Sequence, residues 1–159
     1  MNEMFEDCSS SRLHIIDVSH FDTSQVTDMS HMFDSCFSYF SVSGGTLDLS
    51  NWDTSQVTNM SYMFNDCKYL DAIRLSEKFK TSRVIDMSYM FDENECLTFD
   101  HPERDYIEHW DVSNVINMDF MFYRSRLVYL DLGGWNVSKV KSHDSFRFFN
   151  VILTEPNWP

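Results

Sequence analysis

The segment Trp52–Phe64, WDTSQVTNMSYMF, decides how the rest of the chain is read. It recurs as FDTSQVTDMSHMF from Phe21, FKTSRVIDMSYMF from Phe79 and WDVSNVINMDFMF from Trp110, with a decayed copy, WNVSKVKSHDSFR, from Trp135. The opening aromatics are 31, 27, 31 and 25 residues apart, and the initial MNEMF matches the end of one more copy. All ten methionines fall in two columns of this alignment: Met1, Met29, Met60, Met87 and Met118, then Met4, Met32, Met63, Met90 and Met121. Self-similarity at such a period is the signature of a repeat architecture.

Outward from the segment, a short alternating stretch precedes each aromatic. It reads RLHIIDVS before Phe21, GGTLDLS before Trp52, YLDAIRLS before Phe79 and RLVYLDLG before Trp135, and has nearly vanished in RDYIEH before Trp110. Alternation over so few residues predicts a strand with one buried face, placing Ile16, Val18, Leu47, Leu49, Ile73, Leu75, Leu130 and Leu132 in the core. The valines Val26, Val57, Val84, Val115 and Val140 make a second apolar column, and the methionines with Phe5, Phe33, Phe64, Phe91 and Phe122 fill the middle. The SxMFxxC piece is too short for a free helix and is expected to form one tight helical turn. Each unit is too small to bury its own apolar face, so the expected fold is an α/β-type solenoid of about five to six coils, with short parallel strands and single helical turns. The expected organisation is one domain over residues 1–159, with a partial repeat at 1–8 and a degenerate cap at 141–159.

The bulk numbers narrow the function classes. The chain has 159 residues, 43% hydrophobic and 16% aromatic, which suits one folded domain and argues against disorder. A net charge of -13 repels nucleic acid and anionic membrane surfaces and suits a basic partner. No run of apolar residues reaches the length of a membrane span, so no membrane insertion is expected. The acidic start MNEMFEDCSS does not read as a signal peptide.

The polar columns read as structural. Ser24, Ser55, Ser82, Ser113 and Ser138 recur in every copy, whereas a nucleophile needs one base and one orienting group beside it. Their hydroxyls are expected to satisfy corners of the chain, and Asp22, Asp53 and Asp111 to hydrogen-bond within their own turns. Cys8, Cys36 and Cys67 each follow the motif phenylalanine by three residues and Cys96 by five; a reduced, buried column is expected, and a spacing near ~5 Å also suits a disulfide between neighbours. Zinc-type CxxC pairs, an HExxH motif and a glycine-rich phosphate loop are all lacking, so no catalytic, cofactor or metal site is expected.

Two features point to a binding surface. The bulky residue between Ser or Asp and Met in each copy, His31, Tyr62, Tyr89 and Phe120, should face away from the methionines and line up as an aromatic stripe. The two longer connections, 37–45 and 93–106, place Tyr39, Phe40, Phe99, His101, Arg104 and Tyr106 where solenoid insertions meet partners.

The string LDLSNWDTSQVTNMSYMFNDCKYL, residues 47–70, closely resembles the repeats of BspA-like surface proteins, a bacterial group with relatives among mycoplasma lipoproteins and some protists. The likeness runs from about Met1 to Phe149 and is weakest in the fifth copy; the family's LxxIxIP strand maps onto LDLS, and the final Cys of its VTxIGxxAFxxC onto Cys36 and Cys67. The resemblance implies an atypical leucine-rich repeat, display at the cell surface or secretion as part of a larger protein, and adhesion to host proteins or other cells. It carries no catalytic residue. The expectation is therefore a non-enzymatic protein-binding or adhesion scaffold. The alternatives are a structural or self-assembling spacer that associates through an open N-terminal coil, and an enzyme with a pocket at the long connections; cytoplasmic residence is the alternative location.

Overall fold

The computed structural model describes residues 1–8, 16–38, 45–95, 97, 107–127, 130–148 and 152–159. Four short strands lie among these residues: β1 Gly45–Asp48, β2 Leu70–Arg74, β3 Leu130–Asp131 and β4 Ile152–Thr154. They form two separate two-stranded parallel sheets, β1 with β2 and β3 with β4. Elsewhere among the described residues β-pairing between repeats is reduced to isolated parallel bridges, Asp28–Asn59, Asn59–Asp86, Asp86–Asn117, Asn117–Ser142 and Phe122–Arg147.

The expected α/β solenoid is not what the chain forms. Helix among the described residues is confined to Ile107 and Glu108, the strands are too few and short to make a continuous sheet, and turns and loops make up most of the fold. The cause lies in the SxMFxxC piece. His31 and Ser35 have φ of 54° and 56°, Tyr62 and Asp66 59° and 51°, Tyr89 and Glu93 58° and 53°, Phe120 and Arg124 56° and 49°. A right-handed helical turn needs φ near about −60° throughout, so two left-handed residues four apart exclude it.

Those left-handed residues divide the hydrogen bonding. The amides of Met29, His31, Phe33 and Ser35 donate to the carbonyls of Asn59, Ser61, Met63 and Asn65 in the next repeat, at 2.8–3.0 Å. The intervening amides of Met32, Asp34 and Cys36 donate three residues back, to Met29, His31 and Phe33. The same alternation runs through the second to fourth copies. Every second residue thus turns the chain, and every other one ties it to its neighbour, which satisfies the backbone without helix or sheet.

The core follows the sequence columns. Eight methionines, from Met29 to Met121, are fully buried, whereas Met4 is 48% exposed. Phe5, Phe33, Phe64, Phe91 and Phe122 stack in near-parallel succession with ring centroids 5.4–5.8 Å apart. Val18, Leu47, Leu49, Ile73, Leu75, Leu130 and Leu132 are buried, and Ile16 is partly so. At the C-terminal side Phe146 packs edge-on against Phe122 and Trp158, while β4 adds a partner to β3.

The polar columns act through the backbone. Asp22, Asp28, Asp48, Asp53, Asp86 and Asp111 each accept the amide of the residue two ahead at 2.9–3.1 Å, and the serine hydroxyl joins at 2.7 Å for Asp22, Asp28 and Asp86. These donors hold the carboxyls of Asp22, Asp48, Asp53 and Asp111 below the usual carboxylate range. Cys36 Sγ donates to Phe5 O at 2.9 Å and Cys67 Sγ to Phe33 O at 3.0 Å, so both thiols are free and engaged with the preceding repeat. Asn94 takes that position in the third copy, its Nδ2 donating to Phe64 O at 2.7 Å; Cys96 lies outside the described residues.

Candidate functional site

His31, Tyr62, Tyr89 and Phe120 come together as one ladder. Their rings lie nearly parallel, with centroids 4.5, 4.4 and 4.7 Å apart and planes within 9°. That interval is close to the ~4.8 Å between paired strands, because the amide of each rung donates to the next repeat and sets the spacing. All four rungs are half-buried and left-handed. A left-handed conformation costs a non-glycine residue about 1 kcal/mol, so four in register form a strained feature that packing elsewhere sustains. Glu3 and Ser145 hold the same left-handed position at the two ends, where the rings stop.

The aromatic surface broadens at the fourth repeat. Tyr123 meets Phe120 edge-on at 5.3 Å, Phe148 leans on Tyr123 at 5.1 Å, and the Arg124 guanidinium lies over the Tyr123 ring at 5.3 Å. Tyr123, Arg124 and Phe148 were not singled out in the sequence. A signal existed: Tyr-Arg follows the motif phenylalanine in this copy, where the others carry Asp-Ser, Asn-Asp and Asp-Glu.

Acidic side chains run beside the ladder. Asp34, Asn65 and Asp92 occupy one column, and Asp66 and Glu93 the next. Lys68 Nζ lies 2.9 Å from Asp66 and 3.1 Å from Glu93, and Arg124 adds a 2.9 Å contact to Glu93. These partners hold the Glu93 carboxyl down, Lys68 foremost, and its two carboxylates hold the Lys68 ammonium up. Asp92 behaves oppositely: burial, then the charge of Glu93, pushes it up to about 6. One of its carboxylate oxygens is shut from solvent without a hydrogen-bond partner. Burial, with Tyr89 alongside, also raises the Tyr62 phenol.

Tyr39, Phe40, Phe99, His101, Arg104 and Tyr106, the expected contacts from the long connections, lie outside the described residues.

A ladder of this kind arises only from a repeat in register, and the repeat is what the comparisons match. The sequence fits the family described as Mycoplasma protein of unknown function, DUF285, over residues 1–101 and again over 35–152. The chain belongs to this family. The two overlapping matches together take in nearly all of it, as expected when one multi-repeat unit slides along a repetitive sequence. No curated protein and no solved structure matches the chain. Membership of DUF285 agrees with the mycoplasma-type surface-protein repeat to which residues 47–70 point.

Proposed function

We propose that this chain is a non-enzymatic protein-binding module of a BspA-like surface protein, and that its contact face is the ladder His31, Tyr62, Tyr89 and Phe120. One observation carries the reading. Four consecutive repeats spend a left-handed backbone position on a large ring that remains half-exposed. The left-handed backbone is common to the repeat, and Glu3 and Ser145 share it at the ends; what supports the reading is a large ring left half-exposed at that position in four copies, the arrangement of a presented contact residue.

The chemistry of the face selects its partner. Flat ring edges in a chain of net charge -13 favour a segment with apolar or aromatic side chains and basic neighbours. Display at the cell surface as part of a larger protein, with adhesion to host proteins or cells, is the setting that fits such a face.

The test compares the wild-type chain with Tyr62→Ser/Tyr89→Ser/Phe120→Ser, on fluorescent beads presented to cultured host cells in flow cytometry. Circular dichroism confirms that both are folded. The expected result is a loss of at least about tenfold in bound beads, the equivalent of about 1.4 kcal/mol. Equal binding by both chains, or no binding by the wild type, overturns the reading; the second result favours a spacer role.

A further inference from the structure

The first junction between repeats carries a side-chain cluster that the later junctions lack. Glu6, His31 and Asp34 each offer one donor atom, and these atoms all lie within 4.8 Å of one another. Glu6 and Asp34 hold the same column in successive repeats, each one residue after the motif phenylalanine. His31 belongs to the aromatic ladder and sits three residues before Asp34. The corresponding sets at the next junctions contain Tyr62 with Asn65, Tyr89 with Asp92 and Phe120 with Tyr123, and none includes an imidazole. The fold of the repeat therefore does not require the cluster.

Its members are held in place. Asp34 is buried, and its Oδ1 accepts hydrogen bonds from Asn65 Nδ2 at 2.9 Å and Ser35 Oγ at 3.3 Å. Its Oδ2 is left to the cluster, 2.8 Å from His31 Nδ1. The His31 ring is fixed by stacking on Tyr62 at 4.5 Å. Glu6 is exposed and closes the set from the neighbouring repeat. One carboxylate oriented by outer hydrogen bonds, one clamped imidazole and one exposed carboxylate from the preceding repeat are the elements of a three-donor metal site with open positions for water.

We propose that Glu6, His31 and Asp34 bind a divalent transition-metal ion of the zinc class. The donor set decides the class: calcium and magnesium take oxygen ligands, whereas an imidazole with two carboxylates suits zinc. Zinc–ligand bonds of about 2.0–2.2 Å put neighbouring donors roughly 3 to 3.5 Å apart, so the His31–Asp34 contact opens slightly and Glu6 swings in. The ion bridges two repeats, because Glu6 precedes and His31 and Asp34 follow the junction. It also fixes the end rung of the ladder, but the proposal stands whether or not the ladder binds a protein.

The experiment is calorimetric titration of the metal-stripped, reduced chain with zinc and with calcium, and of Glu6→Gln and His31→Phe with zinc. Glu6 is exposed, and phenylalanine already occupies the same column at Phe120, so both variants keep the repeat. Cobalt absorption reports the donors. The expected result is one zinc per chain, at least tenfold weaker in Glu6→Gln, lost in His31→Phe, and a zinc-dependent rise in the thermal midpoint of the wild type alone. Equal zinc affinity in all three chains, calcium binding as tight as zinc, no binding below millimolar zinc, or a thiolate-to-cobalt charge-transfer band assigning the ion to Cys8 and Cys36 each overturns the proposal.

Discussion

Individual carboxylates divide into two kinds with opposite responses to pH. Asp48, Asp53 and Asp111 accept hydrogen bonds from the serine two residues ahead and are held below the usual range. Their folded-state pKa lies below the unfolded one, so the stability they add is present above about pH 4 and lost as pH falls through the folded value. Asp92 is the reverse: its folded pKa of about 6 lies above the unfolded one, so its contribution is full below about pH 4 and lost as pH rises through 6. Asp92→Asn should therefore stabilise the chain at pH 7.5 by about 1 kcal/mol, a figure already reduced for partial solvent screening, and have little effect at pH 4. Urea denaturation of both chains at the two pH values measures this; an unchanged or lower midpoint at pH 7.5 refutes it. The aspartate roles were legible as turn signals because an Asp-x-Ser contact is local. The condition of Asp92 was not, since it depends first on burial by the fold and then, beyond the adjoining Glu93, on Arg124 and Asp66 from the neighbouring repeats.

At the level of the element, the repeat is a chain of turns pinned by short polar contacts. Asp86 accepts both the amide and the hydroxyl of buried Ser88, at 2.9 and 2.7 Å, and its backbone bridges Asn59 and Asn117. Asp22 makes the same pair of bonds to Ser24 at a more exposed corner. Asp86→Ala strands a buried hydroxyl and should cost about 2 kcal/mol; Asp22→Ala leaves its serine to water and should cost less. Thermal or urea melts of the two variants decide it, and equal losses would mean that burial of the turn is irrelevant. The periodicity of this element was plain in the sequence; its conformation was not. Nothing in SxMF demands a left-handed residue at His31, Tyr62, Tyr89 or Phe120, because these side chains ordinarily avoid it. The next repeat imposes it by offering a carbonyl to every second amide. The third copy has Glu77 and Lys78 between Ser76 and its aromatic, where the second has Asn51 alone. The indole N–H groups of Trp52 and Trp135 donate to Val18 O and Ile107 O, but that of Trp110, whose matching carbonyl belongs to Ser76, is buried without a partner.

Across the whole molecule, the core is a set of columns that run from repeat to repeat. Phe64 stands between Phe33 and Phe91, with Met60, Met63 and Cys67 fully buried around the same repeat. Burial raises the thiols of Cys67 and Cys36, the latter to about 12, so neither reacts as a thiolate in the folded chain. Phe64→Ala should cost about 3 to 5 kcal/mol and accelerate alkylation of Cys67, which otherwise proceeds only through opening of the core. Peptide mapping after timed iodoacetamide exposure follows this; rapid labelling of Cys67 in the wild type would refute it.

The sequence alone determined the repeat, its registers and the identity of the core columns, because apolar periodicity and turn chemistry are written within a few residues of one another. It also placed the four rungs of the ladder on a single face. Only the tertiary structure decided that those rungs are left-handed, that turns replace the expected helical pieces, that Asn94 bonds Phe64 O as the cysteines bond the repeats before them, and that Glu6 meets His31 and Asp34. Each of these depends on hydrogen-bond partners or side chains 24 to 30 residues away, a separation over which a local pattern carries no geometry.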